Sequence, residues 1–415
     1  MSGYHRPMRQ FFASLVLGLS ACTSVIGLEE VPVPAEGGGG AGASTSVGPG
    51  GNGSTTTTTT TTGAGATGGS GATGGSGAST SSGGGPQGGA GGGSGGTGGT
   101  GGGVMVPPSC DVPPGMLEPG INDCGPEVED CCASIAVPGG TFFRSFDGIN
   151  YTDTTHPATV SDFRMDKFEV TVSRFRKFVQ ATIDEGWVPP VGSGKHSHLN
   201  NGNGLEMVDG GPESGWKDTW DNQIHHSLSE WTPQLTSCMN MSGLNSWGEV
   251  PDAYWDHRPI NCVSWHKAYA FCIWDGGFLP SEAEWNYVAS GGSEHRKYPW
   301  GAADPGCDKA MANDGNCPND GYPTLVGSFP KGAGRWGHLD LAGNVFEWGL
   351  DTYVDPLSLV CEDCVQLQSA TSRVVRGGSF RWAYTDSYYY SAERAAWTVA
   401  APGWDIGFRC ARAPL

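Results

Sequence analysis

Four groups of residues have the types and spacing to do chemistry. Cys361-Glu362-Asp363-Cys364 sets two thiols three positions apart, which as thiolates can bind a soft metal or form a redox pair. The two carboxylates between them raise thiol pKa values rather than lower them, so a local disulfide is the better reading. His196 and His198, with His225 and His226 further on, offer imidazoles to a transition metal. Their spacing is not that of a closed zinc site, and loop histidines beside tryptophans more often serve as polar packing. Ser281-Glu282-Ala283-Glu284 brings a carboxylate that could act as a general base, but the pattern is first a helix-capping box. The last group is Arg376-Gly377-Gly378-Ser379-Phe380, where a Gly-Gly pair lets backbone approach a neighbouring strand or a ligand without a Cβ in the way.

The elements around these groups are short. Val374 and Val375 feed the Gly-Gly pair as a strand. An aromatic run follows from Arg381 to Tyr390, and Ile406 to Cys410 reads as an apolar strand ending in a cysteine. Val137 to Arg144 predicts an opening strand, and Ala158 to Met165 the next. Thr171 or Ser173 can cap a helix that places Phe175, Phe178 and Val179 on one face. A second helix is expected after Ser264, burying Ala268, Phe271 and Cys272, and a third after Ser281. Between Ile183 and His257 lies a long segment of weak periodicity carrying Trp187, Trp216, Trp220, Trp231, Trp247 and Trp255. Such rings can line a groove for a sugar or an extended peptide; the plainer reading is that they pack the loops onto the core.

Three motifs in order, Phe278 to Trp285, Gly337 to Trp348 and Arg376 to Phe380, with the Ile406 to Cys410 terminus, resemble the formylglycine-generating enzyme (sulfatase-modifying factor) family. The resemblance runs from about Val137 to Arg412, roughly two-thirds of the chain. It implies an α+β fold of the sulfatase-modifying-factor type, an irregular relative of the C-type lectin fold. It also implies calcium on irregular loops, a hard cation suited to oxygen ligands. Carried over by position, one site takes side-chain oxygens from Asp340 and Glu347 and the carbonyls of Gly343 and Val345. A second takes Asn313, Asp320 and the carbonyls of Asp314 and Tyr322. Catalytic members of the family bind copper through two cysteines after the Gly-Gly-Ser segment. Here Phe380 to Arg409 contains no cysteine, and residues such as Trp382, Tyr384, Ser387 and Tyr388 stand in that stretch. No copper is therefore expected. Ser379 remains a hydrogen-bond donor for a bound chain, and with Arg376, Arg394 and Trp382 it forms the candidate groove, the arginines being suited to a ligand carboxylate.

Residues 1–22 read as an export signal, with His5, Arg6 and Arg9 before an apolar Phe11 to Leu19. Leu19-Ser20-Ala21-Cys22 resembles a bacterial lipobox, in which the cysteine is lipidated and becomes the mature N-terminus. Residues 23–103 form a tether. From Glu36 to Gly103 they are almost only Gly, Ser, Thr and Ala, which cannot bury a core, and a flexible coil of about 68 residues reaches roughly 45 Å. A cysteine-rich cap segment, 104–136, precedes the main domain at 137–415.

Of 13 cysteines, Cys22 set aside, an even number remains, as expected of an exported disulfide-bonded chain. Cys110, Cys124, Cys131 and Cys132 staple the cap in one of two ways, because a vicinal Cys131–Cys132 bond is sterically poor. Cys307 with Cys317 and Cys361 with Cys364 can close local loops. Cys272 with Cys410 matches a long-range pair of the resembled family, and Cys238 with Cys262 is what remains.

The net charge of −19 argues against nucleic acid and against electrostatic binding to anionic lipid. Membrane contact is expected through the lipid anchor alone. The sequence thus predicts a lipoprotein of the cell envelope, at the outer membrane or cell surface, whose domain binds an unidentified peptide, protein or glycan. A formylglycine-generating oxidase acting on exported sulfatases is the alternative, and a structural envelope component the third reading.

Overall fold

The computed structural model describes residues 106–415 except 239–243, 249, 311–320, 356, 359, 369–370 and 382–385. Its strands are shorter than the hydrophobic runs suggest. β1 (Ser134–Val137) and β2 (Gly140–Phe143) are separated at Pro138-Gly139, and β3 (Pro157–Val160) and β4 (Phe163–Asp166) at Ser161-Asp162. The two expected continuous strands are each broken because the corners satisfy their amides with side chains instead of a ladder. Gly139 N–H donates to Asp162 Oδ1 at 2.7 Å, and Ser161 donates to Asp363 through both its amide and its hydroxyl, at 2.7 and 2.6 Å. A Cβ at Gly139 would lie 2.4 Å from the Val160 carbonyl oxygen, so only glycine turns this corner.

The helices begin where their caps say. Thr171 Oγ1 accepts from Arg174 N–H to open α1 (Val172–Asp184), which buries Phe175, Phe178 and Val179. Past β5 (Glu206–Met207), α2 (Leu228–Thr236) and α3 (Ala253–Asp256) lie in the aperiodic segment. α4 (Trp265–Trp274) follows Ser264, and α5 (Glu282–Ser290) opens on the expected capping box of Ser281 and Glu284.

β6 (Phe346–Thr352) is buried along its whole length. β7 (Cys361–Glu362) pairs parallel with β3, and β8 (Cys364–Val365) parallel with β5. β9 (Ser372–Arg376) and β10 (Ala395–Thr398) complete an antiparallel ribbon beside β6. The terminal apolar run divides into β11 (Ile406–Gly407), parallel to β6, and β12 (Ala411–Arg412), antiparallel to β4. One short segment thereby joins the four-stranded sheet β10-β9-β6-β11 to the three-stranded sheet β1-β4-β12.

The largest core cluster sits between α1, α4 and the four-stranded sheet, where Phe175 stacks on Phe271 at 5.8 Å and Phe408 meets both rings. Trp216, Trp231 and Trp247 are buried in it, so these rings of the aperiodic segment are packing. Beneath the cap segment lies a buried ionic square. Arg174 reaches Asp166 at 3.1 Å and Asp275 at 2.6 Å, and Arg412 reaches the same two at 3.2 and 2.7 Å. Ser109 of the cap donates its amide to Asp275, and Ile121, Cys124 and Cys131 are buried, so residues 106–136 are part of the folded body.

The disulfides are Cys110–Cys132, Cys124–Cys131, Cys238–Cys262, Cys272–Cys410 and Cys361–Cys364. Cys307 is also disulfide-bonded, and Cys317, its expected partner, lies outside the described residues.

Candidate functional site

The Gly-Gly-Ser segment begins where β9 ends. Gly377 and Gly378 adopt φ of +94° and +74°, and a Cβ on Gly378 would lie 2.7 Å from the Tyr388 carbonyl oxygen. The close approach expected of this pair is thus made to the chain itself. Ser379 is fully buried, and its hydroxyl donates to Asp405 Oδ2 at 2.9 Å.

The two candidate groove arginines converge on one internal carboxylate. Arg376 donates to Glu282 Oε1 at 2.8 Å, while Arg394 takes both oxygens, Oε1 at 2.6 Å and Oε2 at 2.7 Å. Burial opposes a charge on Glu282, but the guanidiniums of Arg394 and Arg376 outweigh it and hold its pKa at about 2. The carboxylate these arginines take is therefore the chain's own. Trp382 and Tyr384 lie outside the described residues, and Ser387 is half-buried. Asp351, on β6, accepts the amides of Glu282 at 2.6 Å and Gln366 at 2.8 Å; burial first, then the charge of Glu282, raises it to about 7.

The loop from Asp340 to Glu347 coils through left-handed residues, with φ of +58° at Asp340, +84° at Gly343 and +57° at Asn344. Asp340 Oδ2 accepts the amide of Gly327 at 2.5 Å. Glu347 Oε2 accepts from Arg409 at 2.7 Å and from the Trp285 indole at 2.8 Å, and Oε1 accepts from Arg409 at 2.6 Å. A carboxylate outside the sequence-derived set joins them: Glu169 accepts from Asn344 Nδ2 at 2.6 Å and from the Val345 amide at 3.2 Å. Burial, followed by the charges of Asp340 and Glu347, pushes Glu169 well up, and burial lifts Asp340 to about 6. Three buried carboxylates thus act on the buried guanidinium of Arg409, an acidic surplus, although their oxygens do not converge closely enough to form one all-carboxylate metal shell. Of the second expected set, Asn313, Asp314 and Asp320 lie outside the described residues, while Tyr322 packs edge-on against Trp255 at 5.1 Å.

Of the four candidate histidines, His196 and His226 are hydrogen-bonded through their rings, whereas both ring nitrogens of His198 are buried without a hydrogen-bond partner and its ring stacks on Phe278 at 5.6 Å. His196 is fully buried between two acids, its Nδ1 on Glu213 at 3.1 Å and its Nε2 on Glu284 at 3.0 Å. Burial opposes its protonation, but Glu284 and Glu213 win and raise it to about 10. Glu284 is in this way both cap and counter-ion, and both ring nitrogens of His196 are spent. His226 Nδ1 pairs with the Thr182 carbonyl at 2.9 Å, and His225 packs against Trp231. Sequence reasoning missed Glu282 and Glu169 because their partners lie far along the chain, and Glu213 because no periodicity in its segment sets it against His196, 17 residues before it. The one local signal was the doubled acid of Ser281-Glu282-Ala283-Glu284.

Comparison with known proteins bears on the whole of this arrangement. A sulfatase-modifying factor enzyme 1-like domain matches residues 122–414. The chain belongs to the sulfatase-modifying factor family. Its match begins inside the cysteine-rich segment, in keeping with the packing of that segment into the folded body. Among its relatives is the formylglycine-generating enzyme of Mus musculus, 31% identical over 316 residues, covering 71% of this chain and 78% of that protein. Another is the inactive C-alpha-formylglycine-generating enzyme 2 of Mus musculus, 28% identical over 305 residues, covering 67% and 85%. The structure of PvdO from Pseudomonas aeruginosa superposes with a TM-score of 0.46 at 19% identity, over 72% of this chain and 100% of that one. The family thus includes both active and inactive members.

Proposed function

We propose that this chain is a binding module on the sulfatase-modifying-factor scaffold, displayed at the cell envelope through a lipid on Cys22, and that it does not oxidise cysteine. The observation that carries the reading is the state of its sulfur. Every described cysteine is disulfide-bonded, including Cys361 and Cys364, and no cysteine occurs between Phe380 and Arg409. Reduced copper is selected by thiolates, and a disulfide sulfur is not one. Calcium is the ion this scaffold would hold. Asp340 would bind through Oδ1, which has no partner among the described residues, and Glu347 through the lone pair left on Oε1 after Arg409. There it would supply charge balance and loop order rather than reaction chemistry.

Copper(I), titrated into the unreduced protein against a chromogenic chelator, is expected to stay with the chelator. A one-to-one transfer lost in Cys361→Ser or Cys364→Ser would mean that the displaced pair is a copper site and that the oxidase reading is correct. Display has its own test. Wild-type protein should sediment with membranes after a high-salt wash and Cys22→Ala should not; a variant that still sediments would refute the lipid anchor.

A further inference from the structure

β10 is the outer strand of the four-stranded sheet, and it is half-buried along its whole length. Two bonds fix its phase against β9. Val399, one residue past β10, donates its amide to the Thr371 carbonyl at 2.9 Å, and on the other side of β9 the Tyr353 amide donates to the Ser372 carbonyl at 3.2 Å. Opposed residues of an antiparallel pair alternate between exchanging bonds and not exchanging them. With Ala395 opposite Val375 and Trp397 opposite Arg373, the odd-numbered residues of β10 therefore bond to β9. Ala396 and Thr398 turn their main-chain groups outward. Among the described residues the Ala396 amide and carbonyl and the Thr398 amide have no partner, and the Thr398 carbonyl takes only a 3.4 Å bond from Ala401.

Other strand edges of this chain are closed from within. Phe143 on β2 donates its amide to His295 Nε2 at 3.1 Å, Met207 on β5 donates to the Gly211 carbonyl at 2.8 Å, and Ala411 on β12 bridges to Phe278. β10 lacks the usual guards of an open edge: Ala-Ala-Trp-Thr contains no lysine or proline, and its register with β9 is continuous. Ala395, Trp397 and Val399 pack on the main core, so the strand is already held in its extended form. What it offers is a row of main-chain donors and an acceptor at two-residue spacing. Another extended backbone matches that spacing; a sugar or a compact ligand does not.

We infer that β10 is a docking edge for an extended segment of a partner protein, which joins the sheet as a fifth strand through the outward groups of Ala396 and Thr398. The edge starts beside the Gly-Gly-Ser segment, because Ala395 lies opposite Val375 and Gly377 follows two residues on. Alanine at both 395 and 396 leaves room on either face for the β-branched side chains that strands favour. The net charge of −19 favours basic residues flanking the docked segment. The inference rests on the binding-module reading and gives it a partner class. It fails separately, since oxidation of a cysteine peptide would overturn that reading and leave this edge as it is.

The test presents the full chain to an array of lysine-flanked random peptides, beside the same peptides fully N-methylated. Captured peptides should be rich in β-branched residues, and N-methylation should abolish capture. The strongest is then titrated by fluorescence anisotropy. Ala396→Pro removes an outward amide that no internal bond uses, a change that edge strands tolerate. It should weaken that peptide about tenfold or more, the loss of one or two main-chain hydrogen bonds. Thr398→Pro should act likewise, while Ala396→Ser, which keeps the amide, should bind as the wild type does. Bound peptide should also slow amide exchange at Ala396 and Thr398; if a proline variant melts early, that footprint on the wild-type chain decides. No captured peptide, unchanged affinity in both proline variants, or protection elsewhere than β10 would overturn the assignment. So would a dimer of the chain abolished by Ala396→Pro, which would give the edge to a second copy.

Discussion

At the residue scale the molecule is governed by carboxylates that answer to distant arginines. Glu282 holds Arg376 and Arg394, and their positions 94 and 112 residues away explain why a reading of nearby sequence could find Glu284 as a cap and miss the acid two residues before it. Removing one partner of a buried ion pair leaves the other charge uncompensated. Glu282→Gln keeps the shape and loses the charge, so urea denaturation should show a loss of about 3–5 kcal/mol. Because its folded pKa is depressed to about 2, from an ordinary value of 4.5, this contribution is present above pH 4.5 and lost as pH falls from there toward 2. Wild type should therefore lose stability more steeply than the variant across that window. Parallel pH profiles for the two proteins would contradict the assignment.

At the element scale, local signals and long-range ones separate cleanly. The caps at Thr171 and Ser281 were legible because cap and amide lie within one turn, and α1 and α5 start where they predict. The breaks in β1–β2 and β3–β4 were not, since they depend on Asp162 and Asp363 reaching across corners that hydrophobic pattern does not encode. The same holds for the terminal run, which reads as one strand and serves two sheets. The loop entering β6 is where the proposed calcium would act. Its carboxylates were legible by resemblance at Asp340 and Glu347, whereas Glu169 was not, lying 175 residues from Asn344. If the loop holds calcium, chelation should lower the melting temperature and calcium should restore it, by about 3 kcal/mol at a hundredfold excess over its Kd. A melting temperature indifferent to chelator, in protein with no calcium by elemental analysis, would remove the ion from the account.

At the scale of the whole molecule, the fold was legible from three motifs in order, and the family match over residues 122–414 bears that out while drawing the cysteine-rich segment into the domain. The candidate groove was less legible. Ser379, Arg376 and Arg394 were marked by motif, but their partners Asp405 and Glu282 occupy them, and only the coordinates could reveal it. The disulfide Cys272–Cys410 closes a separation of 138 residues, and Cys361–Cys364 a separation of 3. The second, small as it is, carries the proposed reading, because it uses up the thiols of Cys361 and Cys364. The most direct measurement is therefore turnover. Purified, unreduced, copper-supplemented protein would be incubated with a cysteine-containing sulfatase-motif peptide in air, and the peptide mass followed. The account predicts that the peptide keeps its cysteine, at the rate of a protein-free control. Conversion to the aldehyde in catalytic amounts, abolished by Cys361→Ser or Cys364→Ser, would contradict it.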